Sequence, residues 1–270
     1  MSLTVCFIDD SPFERDLFSR VYGDTRGWDL VIAETYSQAR EMLGDRIPLL
    51  WLLDLWGNDP AGTDPVEIID LQELKAKAGR IRDLDSVWEG LAEFPGDRPN
   101  EFLKRLYTIV SGWSGLFMEA ASAADQTKAY GLFNLERVRE DYPNTAALAY
   151  TRKSQSTDLA AYLAAGGDGI LLKPHGPDDA AILKETKRQA PVLADRMQLV
   201  LSRCLEASLL RQALILGGPE GAYFFSLAGA LSGRSPLPPE RILETEPYLI
   251  RWAGAIREWL KERLDQDTAE

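Results

Sequence analysis

The chain has 270 residues, 45% of them hydrophobic, and a formal charge of −12 at pH 7, a length that allows one elaborated domain or two around a sizeable core. The acidic excess argues against nucleic acid as a partner, since phosphate backbones are held by clustered Lys and Arg, and residues 191–270 hide no basic module with nine Lys plus Arg against eleven Asp plus Glu. A single histidine, His175, speaks against a histidine-built zinc site or a Ser-His-Asp triad. From the start, Thr4-Val-Cys-Phe-Ile8 reads as a buried strand running into Asp9-Asp10. Ser11-Pro12 is an N-cap with proline in the first turn, and Phe13, Leu17 and Val21 stripe the helix that follows. Residues 28–33 form a second strand, Ser37 caps a short helix to Leu43, and residues 47–53 form a third strand ending at Asp54.

The alternation resumes at Gly131. Leu132, Leu135, Val138 and Tyr142 fall on one helical face, residues 145–150 read as a strand closed by Thr151, and 158–165 as a helix. Gly166-Gly167 turns the chain into a strand over 168–172, closed by Lys173-Pro174, and 178–189 reads as a fifth helix. Five strands alternating with five helices predict an α/β, doubly wound parallel sheet.

Between the halves lies an excursion that no simple connection needs. Leu71, Leu74, Ala78, Ile81, Leu84, Trp88 and Leu91 step by three and four, as do Leu103, Leu106, Val110, Trp113, Phe117, Ala120 and Ala124, with the breaker Phe94-Pro-Gly-Asp-Arg-Pro-Asn100 between them. The spacing predicts a helical hairpin, acidic on its solvent side with thirteen acids against seven bases over 59–125. Beyond Pro191 the pattern predicts a long helix from Leu193 to Gly217, a second over 220–231, a Pro-rich link, and a last helix capped by Thr245. Trp252 and Trp259 fit either core packing or a dimer interface. No stretch has the apolar length of a membrane span, no basic-then-apolar leader precedes the first strand, and Cys6 and Cys204 read as reduced thiols; together these predict a cytoplasmic protein without membrane contact.

In an open parallel sheet the carboxyl ends of neighbouring strands meet in one crevice. Asp9-Asp10, Asp54, Thr151 and Lys173 each close an apolar run, so they are expected to converge. Carboxylates, a hydroxyl and an ammonium form a kit for a divalent cation and a phosphoryl group.

These residues resemble the receiver domain of bacterial two-component response regulators. The resemblance covers residues 3–58 and 126–190 and rests on the 44-residue step from Asp10 to Asp54, the 22-residue step from Thr151 to Lys173, and Ala164-Ala-Gly-Gly-Asp-Gly-Ile-Leu-Leu-Lys-Pro174. It implies a flavodoxin-like sheet of order 2-1-3-4-5 and a Lys-Pro bond held cis. It also implies a phosphoryl group accepted on Asp54. Asp9, Asp10, Asp54 and the carbonyl of Trp56 would hold Mg2+, and Thr151 and Lys173 would bind the phosphoryl oxygens. A histidine kinase or phosphotransfer protein would be the donor, with an unknown protein downstream and a homodimer open. The expected organisation is a receiver of residues 1–58 and 126–190, a hairpin insertion over 59–125 and a C-terminal extension over 191–270, the whole a signalling protein rather than an enzyme.

Departures from the pattern leave alternatives open. Arg152 stands where the family has a small residue, and Trp56, Lys153 and Ile170 are unusual beside the site. Arg152 and Lys153 either obstruct the pocket, swing outward to bind an acidic partner, or add charge to a phosphoryl clamp. If Arg152 blocks the pocket, the chain is a phosphorylation-incompetent pseudo-receiver serving as a scaffold. An aspartate-nucleophile phosphohydrolase would use a similar kit, but Asp54-Leu55-Trp56 lacks that class's second carboxylate. The excursion leaves the sheet beside Asp54, so the hairpin serves as a lid or as packing for the C-terminal helices.

Overall fold

In a computed structural model the described residues are 3–23, 28–58, 71–124, 126–152 and 156–267. Contacts divide the chain into two compact units, residues 1–57 with 128–270, and residues 58–127.

The first unit is built on a five-stranded, all-parallel sheet. Its strands are β1 (Leu3–Ile8), β2 (Trp28–Ala33), β3 (Leu50–Leu53), β6 (Ala146–Thr151) and β7 (Gly169–Leu172), in the order β2-β1-β3-β6-β7. That is the flavodoxin-like order 2-1-3-4-5. The central strands β3 and β6 are buried along their whole length, as apolar runs covered on both faces must be. Right-handed crossovers decide the faces: the chain moves outward from β1 to β2 and then reverses through β3, β6 and β7. The first helix, α1 (Pro12–Tyr22), therefore lies opposite α2 (Tyr36–Leu43), α5 (Ala129–Asp141) and α6 (Ser156–Ala164). The reversal falls between β1 and β3, where such sheets open a crevice at their carboxyl ends.

Local chemistry sets the helix starts. Ser11 Oγ accepts from the Glu14 N–H and Pro12 supplies the first turn. The cap of α2 is Thr35, two residues before the expected Ser37: Thr35 is the one with extended backbone, and its Oγ1 accepts from the Gln38 N–H.

A larger correction concerns Pro191. The expected break is absent, and α7 runs from Asp179 to Leu216 through the proline. Thr186, Ala190, Leu193, Ala194, Met197, Leu201, Leu205 and Leu209 form one buried stripe across it, so burial on either side outweighs a single lost backbone bond. This helix packs on α1, on β6 and on α8 (Gly218–Leu231). Helix α9 (Pro247–Asp267) closes the unit, with Trp252 stacked on Phe224. Trp252 and Trp259 are both buried, which assigns them to the core. The Lys173–Pro174 bond is trans, against the expected cis form, as no cis peptide occurs among the described residues.

Two-residue strands, β4 (Gly57–Asn58) and β5 (Gln126–Thr127), pair at the boundary of the second unit. The unit's long helix α4 (Arg98–Ala123) is capped by Asp97. The partner arm is not one continuous helix. It comprises α3 (Leu71–Ala78) and a 3-10 turn (Leu84–Trp88), because Gly79 ends the first turn series and Asp83 caps the second. Residues 59–70 of the expected arm lie outside the described residues. No helix among the described residues is long and apolar enough to cross a membrane.

Candidate functional site

Parallel register carries the site residues to one edge. Ile8 pairs with Leu53 and Leu53 with Ala149, while Thr151 pairs with Leu172, so the residues just beyond β1, β3 and β7 and the last of β6 share the carboxyl end of the sheet. Backbone bonds extend the ladder into the site: Asp9 N–H donates to Ala33 O (3.1 Å), Asp54 N–H to Ile8 O (2.8 Å) and Lys173 N–H to Thr151 O (2.9 Å).

There the side chains meet. The Lys173 ammonium pairs with Asp9 Oδ2, stands 3.4 Å from Asp54 Oδ1 and 3.8 Å from Glu14 Oε2. Asp9 and Lys173 are almost fully buried, as is Thr151. Carboxylate oxygens of Asp9, Asp10 and Asp54 lie within 4.8 Å of one another. Asp9 Oδ1 also accepts from the Ser11 N–H at 2.9 Å, and Asp54 Oδ1 from its neighbour's Leu55 N–H at 3.0 Å.

The charges follow from this crowding. Burial pushes the Asp9 carboxyl up to about 7, helped by the nearby Asp54 charge and opposed by Lys173. For Lys173 burial acts downward, but Asp9, Asp54 and Glu14 outweigh it and hold the amine above its ordinary value. The ammonium therefore keeps its proton at neutral pH and serves as a fixed cation among three acids.

Three residues not expected from the sequence help build this edge. Arg15 donates through Nη1 to the carbonyls of Asp9 (2.6 Å) and Asp10 (2.9 Å), fixing the backbone of the acidic pair. Glu14 bridges Lys173 and Arg152. The Tyr130 hydroxyl donates to Glu34 O at 2.5 Å, and burial with the charges of Asp9, Asp10 and Asp54 raises its pKa so that the phenol stays neutral. Glu14 stands three residues after Ser11, a capping-box spacing that offers it a purely local explanation. Its reach across 138 positions to Arg152 leaves no trace in the sequence.

The unusual flanking residues resolve as follows. Arg152 folds inward, its Nε donating to Pro174 O at 2.8 Å and its Nη1 to Glu14. Trp56 is buried, with the Lys128 ammonium 5.2 Å from its ring centre and Lys128 paired in turn with buried Asp158. Ile170 is half-buried in β7 and His175 is exposed beyond it. Lys153 lies outside the described residues.

No protein-family model matches the chain, and no curated protein does. Solved structures do. A receiver domain protein from Methanospirillum hungatei is 12% identical over 73% of this chain and 99% of its own, with a TM-score of 0.33. The signal receiver domain of a Luxo repressor protein from Vibrio parahaemolyticus is 14% identical, over 81% of this chain and 100% of its own, with a TM-score of 0.39. A response regulator from Burkholderia pseudomallei, bearing a phosphorylated aspartic acid, a calcium ion and citrate, is 14% identical over 73% of each chain, with a TM-score of 0.34. These three are response regulators or their receiver domains. At such identities and TM-scores, the fold stands on strand order and register, and the chemistry on the side chains at the sheet edge.

Proposed function

We propose that the chain is a two-component receiver that accepts a phosphoryl group on Asp54 and passes the change on through protein contacts. One observation carries the reading: Lys173, paired with Asp9, stands 3.4 Å from Asp54 at the carboxyl edge of a parallel sheet. Transfer asks little covalent chemistry of a protein beyond position and neutralised charge. An Asp54 oxygen attacks phosphorus, a new O–P bond forms, and the bond to the donor breaks with its electron pair leaving on the donor. Lys173 balances charge on the phosphoryl oxygens, and the Thr151 hydroxyl donates a hydrogen bond to one of them. Three hard carboxylate donors within 4.8 Å suit Mg2+, which Asp9, Asp10, Asp54 and the Trp56 carbonyl would hold, and such an ion would supply further neutralisation of phosphoryl charge.

In this reading residues 1–58 and 126–190 are the receiver, and the insertion of 59–125 and the extension of 191–270 supply partner surfaces. A histidine kinase or phosphotransfer protein would be the donor, in the cytoplasm. The test is labelling by acetyl phosphate with Mg2+. Label should appear on the wild-type chain and on Asp29→Asn but not on Asp54→Asn. No uptake from any small donor or kinase would sink the reading and leave the scaffold alternative.

A further inference from the structure

Two cations share one carboxylate beside Asp54. Glu14, on the first turn of α1, is buried; its Oε1 takes Arg152 Nη1 while its Oε2 lies 3.8 Å from Lys173 Nζ. Lys173 is itself 3.4 Å from Asp54, so Arg152 is linked to the candidate phosphoacceptor through Glu14 and then Lys173. The guanidinium is only partly used. Its Nε donates to Pro174 O and its Nη1 to Glu14, but Nη2 is buried and meets no acceptor among the described residues. Arginine presents its five donors in a rigid fork matched to paired oxygens, so a buried arm without an acceptor marks a place for one more oxygen. A carboxylate and a phosphoryl group look alike to that fork.

We propose that Arg152 is an anion ligand of the Asp54 pocket, and that Glu14 occupies it, together with Lys173, until an oxyanion at Asp54 takes Glu14's place. The proposal rests on the reading of Asp54 as the anchored anion's attachment point. Glu14 acts as an internal competitor. It satisfies Arg152 when the pocket is empty of anion, which keeps that half-buried guanidinium from standing unbalanced. An arriving tetrahedral anion offers three oxygens in place of two and can engage Nη1 and Nη2 together. Glu14 lies at the margin of the core, with a tenth of its side chain exposed, so it can turn to water when displaced. Arg152 thereby becomes a specific part of the pocket instead of an obstruction to it.

The test uses the full chain with Mg2+ and beryllofluoride as the tetrahedral probe, followed by tryptophan fluorescence, with acetyl phosphate labelling run beside it. Glu14→Gln keeps the shape of the side chain and removes the competitor's charge, so the probe should bind about tenfold more tightly, a change of 1.4 kcal/mol. Arg152→Ala should weaken binding about tenfold, and Arg152→Lys should fall between, since it keeps charge and loses the fork. General electrostatics alone would give the same gain from Glu14→Gln whatever stands at 152. The double variant separates the two, because competition for Arg152 predicts that the gain largely vanishes on the Arg152→Ala background. Equal binding by wild type, Glu14→Gln and Arg152→Ala, or an undiminished gain in the double variant, overturns the proposal even if the chain labels normally. Shifts in probe binding without label in any form would instead overturn the phosphoacceptor reading and leave Arg152 as an anion ligand. No binding and no label in any form overturns both.

Discussion

Gly131 lies against the backbone that carries Asp54: a β-carbon on it would stand 2.7 Å from Asp54 O and 2.6 Å from Leu55 Cα. The Gly131 N–H donates to Leu55 O at 3.2 Å, so the start of α5 is docked directly on the turn after β3. Backbone cannot give way as a flexible side chain can. Gly131→Ala should therefore destabilise the fold by about 1–3 kcal/mol, the range for overpacking. Gly115 in α4, with nothing within 4 Å of its added β-carbon, is the control: Gly115→Ala should stabilise by about 0.5–1 kcal/mol. Urea unfolding of both variants checks the contrast, and a Gly131→Ala protein as stable as wild type would contradict the close approach.

The buried ion pair predicts an asymmetry. Lys173 faces Asp9, Asp54 and Glu14, whereas Asp9 has Lys173 as its cation. Removing the amine leaves the acids to repel one another out of water's reach, and breaking a buried pair costs about 3–5 kcal/mol. Lys173→Met should lose about that much. Asp9→Asn should lose clearly less, because Lys173 keeps two carboxylates and the Asp9 carboxyl is already pushed up to about 7 by burial. Chemical denaturation near pH 7 gives both numbers, and the reverse ranking would be inconsistent with the geometry.

What could be read in the sequence was what obeys short-range rules. Continuous apolar runs such as Leu50–Leu53 fixed the parallel strands, and the polar residue ending each run pointed to one edge of the sheet. What could not be read depended on contacts across the fold. Nothing near Glu14 announces Arg152 or Lys173, and nothing near Gly131 announces the Leu55 backbone. Pro191 misled for the opposite reason: its local preference is strong, but the buried stripe from Thr186 to Leu209 is longer than one turn and prevails.

That stripe yields a prediction of its own. Within α7 the proline withholds the N–H that would otherwise reach the carbonyl four residues back, and its own side chain is exposed. Pro191→Ala restores the bond without touching the core. It should raise stability by about 1–3 kcal/mol, the lower end reflecting the greater freedom it gives the unfolded chain. Thermal unfolding decides it, and a loss of stability would mean that the packing of α7 on β6 and α8 depends on the proline.

A divalent cation at Asp9, Asp10 and Asp54 should stabilise the folded chain by mass action, by about 2.7 kcal/mol at a hundred times its dissociation constant. Asp10→Asn is the informative variant, because it removes a ligand while leaving the Lys173–Asp9 pair in place. The rise in melting temperature with Mg2+ should shrink sharply in Asp10→Asn and persist in Asp29→Asn. Chelation should return wild type to the unliganded value. Equal Mg2+ dependence in all three proteins would count against a cation at these acids.

The two cysteines report on burial independently of the site. Both are free: Cys6 sits in β1 and Cys204 in α7. Burial pushes the Cys204 thiol up to about 12 and holds Cys6 well above its ordinary value, so the nucleophilic thiolate is scarce in each. At pH 8 the native chain should react with a thiol reagent far more slowly than the same chain in denaturant, where both thiols titrate together. For Cys204, half-buried and the more accessible of the two, the rate should climb about tenfold per pH unit from 8 towards 10, since its thiolate fraction rises in that proportion below its pKa. A pH-independent rate in that window would indicate reaction through unfolding instead, and would then match the unfolding rate measured by dilution into denaturant.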